Sequence, residues 1–491
     1  MARKGKHRRS QGTPFDLPRH GPRLAKPSYG THIQSGWLAQ RVTRRQEHPL
    51  RQNKLILPAY ADSFRCIGSA CEDTCCQGWV IPVDRAANDK FRILSPSLLR
   101  NLIEDNILRT PGDDGSKPAT FATFRMTASN ACPLLAEDHL CRIHTELGEA
   151  LLPHACATYP RIVYSIGDVE EKALALSCPE AARFVLLNPD LFDLSSPGIT
   201  DTVRSQPEES DTAESVGSIQ PWFTIIRESV LALVLNRSFP LWQRLFLLGA
   251  LCQRLDSIVQ GRQKCSVPAF LRDFEASVAS IQPNPMESLP ADLSQQLDVV
   301  LRLAGMLLQS SNMHARFVAC IQAFTTGIGN GPGATLESLT AHYALAHDQS
   351  YAPFFNRQPH ILENYLVNTI LRSQFPVGRE EMRTGASPSM MRQHILLTAQ
   401  FALMKGFLIG VAGFHGETFC TDHVVHTVQS VSKHFEHHSE FLNQAYALLV
   451  ESRMNDDRGI AILLRNDHPA SKPEGLVSSL PSRLCSTVGA R

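Results

Sequence analysis

The sequence predicts a mainly α-helical protein, in which a cysteine-rich metal-binding region with small β elements precedes an α-helical bundle or array. Three observations carry this. Eight of the thirteen cysteines lie between residues 66 and 178. From about residue 221 to 455, apolar residues recur at intervals of three and four, the period of a helix with one buried face. Between these stretches, residues 201–220 (DTVRSQPEESDTAESVGSIQ) are acidic, Ser-rich and nearly devoid of large apolar groups, which reads as a linker or surface loop.

In chain order, residues 1–54 come first as a basic arm. Residues 1–51 hold twelve Lys and Arg against Asp16 and Glu47, with little apolar periodicity, so a disordered segment is expected. It is the only part whose charge suits nucleic acid or another acidic partner. The cysteine-rich domain is set at 55–200. Within it, Trp79–Val83 is short and β-branched enough for a brief strand, and Asp84 is placed to cap a helix running through Arg92. Residues 110–119 form a loop by composition, and a short helix ends near Leu152. Ile162–Ile166 and Ala173–Leu176, joined across Gly167-Asp168, predict a hairpin that delivers Cys178.

The helical domain is set at 221–455, with helices expected over 222–236, 241–259, 291–309, 361–375, 390–411 and 420–450. The glycine-rich run Gly327–Gly333 follows no β-branched strand and contains Pro332, so it reads as a connector and not a phosphate loop. In the last helix His423, His426, Ser430, His434 and His437 share one stripe, and Val424, Val428, Val431 and Phe435 another. That pattern is expected of a half-buried helix. Residues 456–491 read as a polar, disordered tail.

Composition narrows the function classes. A net charge of +1 gives no global attraction to nucleic acid or membrane, and no run of eighteen apolar residues suggests a membrane span. The basic start lacks the apolar core of a secretory signal, so a cytoplasmic compartment is expected. In that compartment gathered cysteines bind metal or do redox chemistry more often than they form disulfides. Here Cys66, Cys71, Cys75 and Cys76 fall within eleven residues, among Gly68, Ser69, Glu72, Asp73 and Thr74, with Cys132, Cys141, Cys156 and Cys178 after them. All eight are candidate ligands of one metal centre, and the spacing does not name the metal.

Five blocks in order extend the reading. They are CIGSACEDTCCQGW (66–79), CPLLAEDHLCRIHTELGEALLPHACATYPR (132–161), LSCPEAAR (176–183), ILENYLVNTILRSQFP (361–376) and VVHTVQSVSKHFEHHSEFL (424–442). Together they resemble the bacterial flagellin lysine-N-methylases, and the wider group of small proteins with a zinc- or iron-chelating cysteine cluster. The resemblance implies methyl transfer from S-adenosylmethionine to lysine ε-amines of flagellin, and a 4Fe–4S cluster on the cysteines, with zinc as the alternative metal. Cys71 and Cys75 match the first pair of the C-x3-C-x2-C pattern of radical enzymes that use the same donor, but position 78 is Gly.

Methylating lysine is a displacement at a sulfonium carbon by a neutral amine, which calls for carboxylates and aromatic faces. Near the cysteines these are Glu72, Asp73, Trp79, Tyr159 and Glu180; in the helical half they are Glu363 and Tyr365. Asp73, Tyr159 and Glu363 are taken as catalytic candidates, with Trp79 and Arg161 as donor-binding ones, Arg161 through the donor's carboxylate. Chemistry is expected where the cysteine-rich region packs on the helices carrying Glu363 and His434. The alternative function is a metal-chelating or redox-carrier protein with a helical scaffold, and a third is an interaction protein stapled by its metal.

Overall fold

The computed structural model describes residues 60–109, 121–166, 169–192, 222–263, 265–281, 285–309, 313–379, 381, 389–436 and 440–466. The basic arm, the loop 110–119 and the acidic segment 201–220 therefore lie outside the described residues.

The cysteine-rich part begins with α1 (Tyr60–Ser63), α2 (Arg85–Arg92) and α3 (Leu98–Asn106). Asp84 does cap α2, its Oδ1 accepting from the Ala87 amide at 2.9 Å. Strands β1 (Pro82–Val83), β2 (Ile107–Arg109) and β3 (Ala122–Phe124) form a small antiparallel sheet in the order β1-β3-β2. Short helices α4 (Arg142–Leu147) and α5 (His154–Thr158) follow. The expected hairpin is β4 (Arg161–Ile166) paired antiparallel with β5 (Val169–Leu174), Ile166 opposite Val169, so that the second strand begins four residues before the expected Ala173 and ends at Leu174. Cys178 stands just before α6 (Pro179–Leu187).

The second half is helical: α7 (Phe223–Val234), α8 (Leu241–Val259), α9 (Val267–Ala279), α10 (Leu293–Leu308), α11 (Ala315–Gly327), α12 (Leu336–Ala346), α13 (Ala352–Arg357), α14 (His360–Arg372), α15 (Met390–His415), α16 (Thr421–Phe435), α17 (Phe441–Glu451) and α18 (Asp457–Leu464). A single π turn, His347–Tyr351, joins α12 to α13. The segment expected as one helix over 420–450 is two, α16 and α17. Helices α9, α11, α12 and α13 lie in stretches where Gly, Thr, Ala and Pro dilute the three–four pattern. The expected disordered tail from 456 begins instead with α18, whose Gly459–Leu464 are buried.

α15 is the axis of this half. It is apolar all round because it is buried all round. By length and by the mean hydropathy (1.8) of its most apolar window it would pass for a membrane span, yet that window is wholly buried inside the protein. Its N-terminus is held by Asp256 of α8, whose carboxylate accepts from the Met390 and Met391 amides at 2.8 and 3.0 Å. At its far end α11 approaches very closely. A Cβ on Gly327 would stand 1.8 Å from the Gly410 carbonyl oxygen, so only glycine fits there.

Two apolar cores result. The smaller gathers Cys76, Ile81, Val83, Phe91, Ile103, Phe124, Cys132 and Leu134. The larger fills the helical half and also takes in Tyr60, Phe64, Leu174, Leu176, Val185 and Phe192 from the cysteine-rich part. Polar residues of α14 secure this docking. The Asn368 amide donates to the Leu174 carbonyl at 2.9 Å and accepts from the Leu174 amide at 3.2 Å, while Asn364 donates to the Val185 and Asn188 carbonyls. Hence the hairpin and α6 lie against the helices, which brings the cysteines beside α16.

Candidate active site

The first cysteine block folds as a loop stitched to the second. The Cys132 amide donates to the Cys76 carbonyl at 2.7 Å and the Gly78 amide to Asn130 at 3.0 Å, and the Trp79 indole reaches back to the Cys75 carbonyl at 2.8 Å. This places the Cys76 thiol between those of Cys75 and Cys141. By donating to its two neighbours, Cys76 lowers Cys75 to about 7 and Cys141 to about 6, while its own thiol is pushed far up. Burial raises Cys132 to about 11 and Cys178 to about 12, and also raises Cys71 and Cys156. Cys132 and Cys156 feel the charge of Cys75 and Cys141, and Cys178 that of Cys71 and Cys75. The thiols are gathered, as the sequence suggests. They do not converge: among the described residues no three His, Cys, Asp or Glu side chains stand where they could hold a metal ion. The arrangement seen here thus does not fit a bound cluster without movement of the thiols.

Beside this loop is a cleft of about 490 Å³, lined by Cys71–Thr74 and Gln77, by Ala128–Asn130 and His139, and by Met313–Arg316 at the start of α11. Its wall is built by one polar network. Asp73 Oδ2 accepts from Lys433 Nζ at 2.8 Å and from Gln429 Nε2 at 2.7 Å, while Oδ1 accepts from the Thr74 amide. Burial alone would raise the Asp73 carboxyl; the Lys433 ammonium and these hydrogen bonds outweigh it and hold the group below the ordinary carboxylate range. Gln429 also donates to the Ser177 carbonyl, and its Oε1 accepts from Arg316 Nε at 3.0 Å. The amide has only one orientation that serves both neighbours, since Arg316 only donates and Asp73 only accepts. Glu72 is held through Oε1 by Arg183 of α6 at 2.6 Å. His314 packs so tightly on Gly78, which has φ +96°, that a Cβ there would stand 2.1 Å from its Nε2. The His314 ring lies edge-on to His434, which stacks on Phe317 with centroids 3.6 Å apart.

Of the residues singled out in the sequence, Asp73 and Glu72 line the cleft, and His434 stands behind it. Trp79 and Tyr159 stack on each other with centroids 6.1 Å apart, and the buried Tyr159 hydroxyl bonds Ser177 Oγ at 3.1 Å. Neither is in the cleft wall. Arg161 gives its guanidinium to the Ala61 and Phe64 carbonyls and lies over the Phe64 ring, so here it fastens α1. Glu363 does not face this cleft. Its carboxylate is gripped by Arg237 and Arg244, each at 2.6 Å, and it is 5% exposed. The neighbouring Tyr365 is buried in the helical core.

Of the polar stripe expected on α16, His423 and His426 are half-buried and His437 lies outside the described residues. The Val stripe is buried, and so are Gln429, Ser430, Ser432, Lys433 and His434, the cysteine loop covering Gln429 and Lys433 while His314 and Phe317 pack on His434. Sequence reasoning passed over Arg316, His314, Gln429 and Lys433. A signal for the last two existed: Gln429 and Lys433 on α16 and Glu436 at its C-cap recur at four and three, and all three make polar contacts with the cysteine-rich part.

Residues 227–463 match the model of the FliB lysine N-methylase C-terminal domain. The chain is 33% identical over 138 residues to the flagellar biosynthetic protein FliU of Salmonella muenchen, a stretch covering 28% of this chain and 79% of that protein. It is 32% identical over 139 residues to the lysine-N-methylases of Salmonella typhimurium and Salmonella choleraesuis, covering 28% of this chain and 34% of each of them. The match thus spans about a third of the length of those two relatives. No solved structure matches the chain. With most of FliU covered and the C-terminal domain matched across the helical half, the chain belongs to the FliB/FliU family of lysine-N-methylases.

Proposed function

We propose that the protein is a protein-lysine N-methyltransferase that uses S-adenosylmethionine, acts on a flagellar protein, flagellin being the expected substrate, and works in the cytoplasm. The clustered cysteines would hold a 4Fe–4S centre, or alternatively zinc, once their thiols move together. The observation that carries the reading is the polar cleft between the cysteine loop and α11, in a chain of this family. Its size is that of a small-cofactor site. The name of FliU, a flagellar biosynthetic protein, supports a flagellar substrate.

S-adenosylmethionine, when bound, supplies a methyl group on a sulfonium, ready for in-line displacement. The chain's residues have to accept a cation, hold the lysine and take its proton. Asp73 is suited to the first task. Its carboxylate stays ionised, and its oxygens are already committed to Lys433, Gln429 and the Thr74 amide. Glu72 is suited to the proton: Arg183 fixes one oxygen, and the other has no hydrogen bond among the described residues. The test is transfer of labelled methyl groups from S-adenosylmethionine to purified flagellin by anaerobically prepared protein, with the modified lysines found by mass spectrometry. Glu72→Gln should keep the fold and metal content and lose most transfer. Absence of any transfer by metal-loaded protein, to flagellin or to lysine-bearing peptides, would overturn the reading.

A further inference from the structure

We infer that Arg316 is the residue that holds the α-carboxylate of the methyl donor in the cleft. The inference rests on the proposed donor reading and adds a binding residue to it. Arg316 lines the cleft near the start of α11. Its Nε is fixed by Gln429 Oε1 at 3.0 Å, and no carboxylate pairs with it among the described residues. The two cleft carboxylates differ in this respect, because Glu72 is paired with Arg183 and Asp73 with Lys433. The cleft therefore has one guanidinium without a carboxylate partner and two acidic groups with theirs.

One amide sets the spacing between the two signs of charge. Gln429 accepts from Arg316 and donates to Asp73, so the cation and the anion stand on opposite sides of a single buried side chain. A ligand with a carboxylate at one end and a sulfonium or ammonium near it matches that polarity, and an amino-acid-bearing sulfonium is such a ligand. With Nε already bonded, the outer guanidinium nitrogens of Arg316 are left for carboxylate oxygens, the pairing in which arginine is strongest. Arg161, which the sequence suggested for this task, has given its donors to backbone carbonyls.

The experiment is calorimetric binding to metal-loaded protein of two probes: S-adenosylhomocysteine, and the same thioether lacking only its carboxyl group. Wild-type protein should bind the first about 10–100-fold more tightly, the usual range for a hydrogen-bonded charge. Arg316→Met should bring the first probe down to the level of the second and leave the second unchanged. Equal binding of S-adenosylhomocysteine by variant and wild type would overturn the assignment and leave the donor reading intact. Loss of both probes together would also overturn it, since Arg316 would then be shaping the cleft and not reading the carboxylate. Failure of wild-type protein to bind either probe would instead remove the donor reading on which the assignment rests, and the assignment with it.

Discussion

Replacing Lys433 by Met keeps most of the side chain's apolar stem and removes the ammonium that holds the cysteine loop to α16. That ammonium lies 2.8 Å from Asp73 Oδ2 and 3.1 Å from the Thr74 carbonyl, and the paired side chains are 6% and 12% exposed. At that separation, with an effective dielectric constant of about 20, the gross attraction is about 6 kcal/mol. Desolvation offsets much of this in the intact pair. Removing one partner leaves the other charge buried alone, which costs about 3–5 kcal/mol. Asp73→Asn should cost a similar amount, since it strands the ammonium. The double variant removes both charges and should lose much less than the two singles added together. Urea unfolding of all four proteins at equal metal content gives the coupling energy, expected at about 2 kcal/mol or more. Single losses that simply add, within about 0.5 kcal/mol, would refute the idea that this pair clamps the loop.

Three further outcomes are expected. Glu363→Gln should lower stability by about 3 kcal/mol, because Arg244 is left buried without its anion, yet leave methyl transfer per folded molecule unchanged; a large loss of turnover at full stability would put Glu363 in the chemistry. His394 is buried, donates Nε2–H to the Leu245 carbonyl at 2.8 Å, and is held by burial at about 4, below the usual 6.5. Its folded form resists the proton that the unfolded chain accepts, so stability is kept above pH 6.5 and falls by about 3 kcal/mol as pH drops to 4, and His394→Gln should flatten that part of the urea-midpoint profile. Protein purified without oxygen should be brown and contain iron; a colourless protein with stoichiometric zinc would make the centre a structural zinc site, and one with no metal would remove it from the mechanism.

What was legible in the sequence was mostly local. The Asp84 cap, the hairpin closing at residues 167 and 168, and the longer amphipathic helices all follow from signals within a few residues of each other. The candidate site is different, because its partners are far apart in the chain. Asp73 meets Lys433 across 360 positions, and Glu363 meets Arg244 across 119. Seen alone, Asp73 is one acid in a polar cysteine loop and Glu363 one acid near the start of an amphipathic helix. Only the packing of α6 and the hairpin on α14 and α16 puts one at a cleft and the other between two arginines. Arg316 was missed for a related reason: residues 313–316 run into the first turn of a helix whose periodicity is weak, and their importance comes from facing a loop some 240 residues earlier.

The same loop that carries the thiols also forms one wall of the cleft. Glu72 and Asp73 lie between Cys71 and Cys75, and Gly78, two residues beyond Cys76, supports His314. This loop brings little apolar surface of its own to either core, with Cys76 buried and Trp79 partly so. Its position depends on hydrogen bonds to residues 129–131 and on the Asp73 and Glu72 ion pairs. The helical core has no such dependence, since its side chains are buried against one another around α15. A ligand drawn between the cysteines would therefore act on the cleft wall directly and on the helices hardly at all.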